Sequence, residues 1–182
     1  MRFVGIDPST RTGFVAISEW GDVLRANELT GVGSQDPKRM ASLLGEVMAF
    51  VKPDDIVCIE GFAFGAQGQG VSVQYGIGWG LRVALFRRGI AYTEVSPASV
   101  KKFATGKGNA KKDEMVLPIF KKWGFEHSSD NVRDAFVLAQ IARELKFSQE
   151  VGEPTTTIKY EAEVIQSILN PSEKKKRKKV AK

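Results

Sequence analysis

The run Arg2-Phe3-Val4-Gly5-Ile6-Asp7-Pro8-Ser9-Thr10-Arg11-Thr12-Gly13-Phe14-Val15-Ala16-Ile17-Ser18 decides the fold. Arg2 to Ile6 form a short apolar strand that stops at an acid, Asp7. Pro8-Ser9-Thr10 have turn chemistry, and Gly13 to Ser18 are apolar again, so the chain reverses and runs back as a second strand. Gly21-Asp22 mark the next hairpin, followed by a third strand near Val23 to Leu29. Three strands this closely spaced make an antiparallel meander.

Beyond the meander the periodicity changes. Met40, Leu43, Leu44, Val47, Met48 and Val51 fall on one face of a helix over 37–51, which Pro53-Asp54-Asp55 end. Residues 55–61 hold the unbroken apolar run Ile56-Val57-Cys58-Ile59, the pattern of a central parallel strand covered on both faces; Glu60 closes it. A Gly-rich loop leads into a helix from about 71 to 88. Gly76, Gly78 and Gly80 within it each cost about 1 kcal/mol against alanine, so they must permit close packing, against a twin subunit or against the chain's own sheet. Ile90 to Val95 form a fifth strand. A short helix, a Gly-rich basic loop (Thr105 to Asn109) and helices over 111–123 and 130–146 follow. The order βββαβαβα describes an α/β sheet of mixed strand direction. One domain is expected over 1–147. Residues 148–182 form an extension: a linker over 148–158, a short helix over 159–169 and a solvated basic run over 171–182.

Charge is distributed unevenly. The net charge of +6 belongs to residues 173–182, and the remaining 172 residues carry 20 basic and 20 acidic groups. Within that neutral body, residues 99–122 hold seven lysines and two acids, which suggests a phosphate-facing surface. The basic run at 174–179 is expected to tether DNA non-specifically. A single cysteine, Cys58, excludes an internal disulfide framework and a cysteine-based zinc site. No apolar run reaches the roughly 18 residues of a membrane span, and a cytoplasmic protein with no membrane partner is expected.

Four acids stand where an apolar segment ends or a helix begins: Asp7, Glu60, Asp130 and Asp134. Parallel strands place their carboxyl ends on one sheet edge, so Asp7 and Glu60 meet there if the first and fourth strands are neighbours. Asp130 and Asp134 stack on one helical face roughly 6 Å apart. Clustered carboxylates repel one another, and a divalent cation relieves that repulsion. Oxygen ligands without His or Cys suit Mg²⁺ or Mn²⁺. With one histidine and one cysteine in the chain, a Ser-His-Asp or Cys-His device is not available; His127 reads as a surface or capping residue.

These residues resemble a known family. Gly5-Ile6-Asp7-Pro8-Ser9-Thr10-Arg11-Thr12-Gly13 is similar to the opening strand and turn of RuvC-type Holliday junction resolvases, and Ile59-Glu60 to their second acidic strand end. Val100-Lys101-Lys102-Phe103-Ala104-Thr105-Gly106-Lys107-Gly108-Asn109-Ala110-Lys111-Lys112 closely matches their basic DNA-facing loop, and Asp134-Ala135 their final acidic motif. The resemblance covers about residues 1–146. It implies an RNase H-like mixed five-stranded sheet flanked by helices, a homodimer, branched DNA as substrate and paired nicks made with Mg²⁺. Carried over, Asp7, Glu60 and Asp134 are metal ligands, Lys101 and Lys112 are catalytic lysines beside the phosphate, and Lys102, Lys107 and Lys111 contact DNA. Either Phe62 or Phe64 reaches the junction. The family's last two acids are commonly three apart; here that position is Asn131, and Asp130 is the expected fourth ligand. This departure, the Gly-rich 65–80 region and the C-terminal extension point to a phage version acting on several branched structures. The alternative is a structure-selective DNA-binding protein without catalysis.

Overall fold

The computed structural model describes residues 1–62, 68 and 70–171. The meander forms as β1 (Arg2–Asp7), β2 (Thr12–Ser18) and β3 (Val23–Leu29). Helix α1 (Lys38–Phe50) leads to β4 (Ile56–Glu60), α2 (Val71–Arg87) to β5 (Tyr92–Val95), and α3 (Pro97–Thr105), α4 (Lys112–Trp123), α5 (Asp130–Val151) and α6 (Lys159–Leu169) follow among the described residues. One sheet contains all five strands in the order β3-β2-β1-β4-β5. β1 is antiparallel to β2 and parallel to β4, and β4 is parallel to β5. Gly5 lies opposite Cys58 and Ile6 opposite Ile59, so Asp7 and Glu60 leave the same edge side by side. Arg2 fixes the opposite end of that pair: its guanidinium donates to both oxygens of Asp55, just before β4, at 2.7 and 2.6 Å.

Both faces of the central strands are covered, which is why they read as unbroken apolar runs. Val4, Ile6, Phe14, Val57 and Ile59 pack under α1 and α2, on Leu43, Val47, Ile77 and Leu81. Phe3, Val15, Ile17 and Cys58 pack on the other side, under α5 with α3, α4 and α6. On that second face α5 lies almost on the backbone of the sheet. A Cβ on Gly5 would stand 1.9 Å from the Ala135 carbonyl oxygen, and one on Gly13 would stand 2.0 Å from that of Asn131. These two glycines let the helix bring Asp134 to the end of β1.

The glycines of α2 serve packing within the chain. A Cβ on Gly76 would meet the Met40 methyl at 3.1 Å, one on Gly80 Leu44 at 2.6 Å, and one on Gly78 the Phe62 ring at 2.6 Å. The helix expected to stop near 146 continues through the first residues of the expected linker, to Val151. Ser148 is fully buried, its Oγ accepts from the Thr155 amide at 3.3 Å, and Gly152 (φ 90°) ends the helix. The short helix over 159–169 forms as expected and adds Val164 and Ile165 to the core. Beneath it the buried carboxylate of Glu161 pairs with Lys122. No described helix is long and apolar enough to cross a membrane.

Candidate active site

Asp7, Glu60 and Asp134 line one cleft of about 220 Å³ at the carboxyl edge of the sheet, together with Ser9, Phe62, Tyr75, Arg82, Lys101, Lys112 and Asn131. β1, β4 and the first turns of α5 each deliver one acid, from segments far apart in the chain. Asp7 is 6% exposed, and its carboxyl group lies beside that of Glu60. Burial, and then the charges of Glu60 and Asp134, push Asp7 well above the usual carboxylate range. Burial and the charge of Asp134 raise Glu60 to about 7. Burial raises Asp134 to about 6, with Asp130 adding to the effect and Lys112 opposing it. Each group resists ionisation because taking a charge out of water and setting it beside like charges is costly. Lys101, from α3, and Lys112, the first residue of α4, line the same cleft and supply opposite charge.

Of the other expected site residues, Phe62 lines the cleft, whereas Asp130, Lys102, Lys107 and Lys111 do not. Asp130 is absent from the cleft wall; its carboxylate accepts from Lys112, a bond that holds it below the usual range. Ser129 caps α5, its hydroxyl accepting from the Val132 amide at 3.3 Å. Asn131 reaches the cleft, and its side-chain amide donates to the Arg11 carbonyl at 2.8 Å. Lys102 is turned away toward α6, 2.7 Å from Glu163. Lys107 and Lys111 are exposed in the turn between α3 and α4. Phe64 lies outside the described residues, as does the basic run after 171. Phe62 sits in an aromatic group, 5.0 Å from Tyr75 and 5.4 Å from Trp79 between ring centres. His127 is a local brace, its Nδ1 accepting from the Ser129 amide at 3.0 Å.

Arg82 escapes a reading of the sequence. It is 2% exposed, donates to the backbone carbonyls of Glu60 and Gly78 at 2.9 Å each, and reaches Glu94 at 2.5 Å. Its guanidinium also lies 4.3 Å from the centre of the Phe62 ring. One buried side chain thus ties the end of β4, α2 and Phe62 together. The available signal was its isolation: Arg82 is the only charged residue between 71 and 86.

Among the described residues no group of three carboxylate, histidine or cysteine side chains is already arranged to hold a metal ion. The donor set nevertheless has the chemistry of a hard-cation site: three converging carboxylates that repel one another, with no nitrogen or sulfur ligand.

A mixed sheet in this order, with acids ending its two central strands and a third acid on the helix crossing them, is an RNase H-like fold. Among solved structures, this chain is similar to that of Thermus thermophilus RuvC, with a TM-score of 0.59 and 20% identity over 84% of this chain and 97% of that one. It is similar also to T. thermophilus RuvC in complex with Holliday junction substrate, with a TM-score of 0.57 and 22% identity over 83% and 96%. No protein-family model matches the sequence.

Proposed function

We propose that this chain is a RuvC-type, structure-selective endonuclease that nicks branched DNA, Holliday junctions above all, by two-metal phosphodiester hydrolysis. The observation that carries this reading is the convergence of Asp7, Glu60 and Asp134, with Lys101 and Lys112, in one cleft. The likeness to a RuvC captured with a junction supports it. Asp7, Glu60 and Asp134 would hold Mg²⁺ or Mn²⁺, which when bound supplies an activated water and offsets charge on the leaving oxygen. The chain's own part is to position the strand. Lys101 and Lys112 face the phosphate and stabilise the charge that grows on it. Lys107 and Lys111 anchor the neighbouring backbone, so binding weakens steeply with salt. The ring of Phe62, backed by Arg82, offers a stacking surface for a base exposed at the branch.

Two nicks need two sites, and a two-fold dimer supplies them. The outer face of α2 suits that contact: Trp79, Val83 and Phe86, at helical spacing, are 58%, 45% and 81% exposed. A stripe of this size and spacing facing water is uncommon on a monomer surface. Phe86→Glu is expected to shift the protein to monomer in sedimentation and to replace paired cuts by single nicks. An unchanged dimer would place the interface elsewhere.

The test of the function is cleavage of a synthetic four-way junction and a linear duplex of the same sequence with Mg²⁺, the products mapped on all strands. Symmetric nicks confined to the junction are expected. Tight junction binding without cleavage would instead favour a structure-selective DNA-binding protein.

A further inference from the structure

The acids near the cleft do not share one role. Asp7, Glu60 and Asp134 face inward, whereas Asp130, one turn before Asp134, faces the start of α4. There its Oδ2 accepts from the Lys112 ammonium. Arg11 lies on the same side, paired with Glu28 and within electrostatic reach of Asp130. Lys112, Asp130, Arg11 and Glu28 therefore make a row of alternating charge, Lys112 paired with Asp130 and Arg11 with Glu28.

Lys112 is the member of that row that also lines the cleft, and its side chain is 58% exposed. A lysine with that freedom samples many rotamers, and fixing one of them costs entropy. A carboxylate tether at its tip removes much of that freedom before substrate arrives, the kind of pre-organisation that makes a charge effective in catalysis. A carboxylate already matched with an ammonium also has less to gain from a cation than three acids that repel one another.

We propose that Asp130 is the positioning residue that holds Lys112 over the cleft, leaving the metal to Asp7, Glu60 and Asp134. The inference rests on the nuclease reading above. It assigns Asn131, which replaces the family's usual acid, to a structural bond with Arg11.

Two measurements on the full-length chain test this. Calorimetric titration with MnCl₂ alone is expected to give Asp130→Asn an affinity within about twofold of the parent, while Asp134→Asn loses tenfold or more. Single-turnover nicking of a four-way junction at saturating protein is expected to slow about tenfold in Asp130→Asn and about 100-fold in Lys112→Met. The double variant should be no slower than Lys112→Met, the non-additivity expected of a residue that acts through another. A manganese affinity that falls in Asp130→Asn as far as in Asp134→Asn would overturn the inference. So would a further tenfold loss when Asp130→Asn is added to Lys112→Met. Should the parent chain cut no branched DNA, the nuclease reading fails by itself, and the manganese titration still decides whether Asp130 belongs with the metal ligands.

Discussion

Replacing Asp7 by Asn is expected to reduce Mg²⁺-dependent nicking by about 1000-fold or more, to leave junction binding intact, and to make the metal-free protein more stable at pH 8. The last effect sets a metal site apart from a simple loss of structure. Asp7, Glu60 and Asp134 all hold protons more tightly in the folded chain than carboxyls do in an unfolded one, near pH 4. The folded state therefore binds more protons than the unfolded state at intermediate pH, and stability falls as pH rises. The contribution is fully present below about pH 4. It is lost as pH climbs through about 6 for Asp134 and about 7 for Glu60. Thermal melts without metal should fall steadily between pH 5 and pH 8. Asp7→Asn removes one of the repelling charges and offers Glu60 a donor, so its melts should depend less on pH. Mg²⁺ should restore the stability of the parent at pH 8 and leave that of Asp7→Asn unchanged. A parent melting temperature at pH 8 that ignores Mg²⁺ and Mn²⁺ alike would refute the metal site.

Gly5→Ala is expected to do the greatest damage for one added methyl group. The new Cβ would stand 1.9 Å from the Ala135 carbonyl oxygen, 2.6 Å from the Ala139 amide nitrogen and 2.8 Å from the Leu138 Cβ. Two of these neighbours are backbone, so no change of rotamer relieves the contact. Overpacking a core costs about 1–3 kcal/mol where side chains can yield, and here the cost should reach the top of that range or pass it. For a chain of this length, 3 kcal/mol lowers the melting temperature by about 10 °C. Activity should suffer separately. Asp7 lies two residues beyond Gly5, and Asp134 lies beside Ala135, so a helix lifted from the strand parts the two acids. A displacement of about 1 Å is enough to cost a factor near 100 in rate. Nicking measured at 15 °C, with circular dichroism showing a folded protein, should still be reduced by that factor. Full activity in a folded Gly5→Ala chain would mean that α5 is free to shift without disturbing the site.

How far the sequence discloses this arrangement depends on which forces are local. The strands and most helices follow from periodicity, and the meeting of Asp7 with Glu60 follows once β1 and β4 are neighbours, because parallel strands share an edge. The extent of α5 does not follow. Its apolar pattern breaks at Lys146, yet Ser148 is buried against the segment that leads into α6, and the helix is prolonged by a contact with residues not yet reached in the chain. Asp130 and Asn131 are a sharper case. A helical wheel sets both on the face of Asp134, and only the position of Lys112, brought in by a different helix, separates them. Arg82 shows the same limit: an arginine inside an apolar helix is visible as an anomaly, but its partners at the end of β4 are tertiary.

Cys58 lies in the middle strand pair, opposite Gly5 on one side and Thr93 on the other, and is 1% exposed. Burial also raises its thiol above the usual range, so little of it is in the reactive thiolate form. An alkylating reagent can reach it only when the sheet itself comes apart. The native chain thus carries one built-in chemical clock for whole-molecule opening, and a cysteine added anywhere on the surface can take a dye without competition from the one already present.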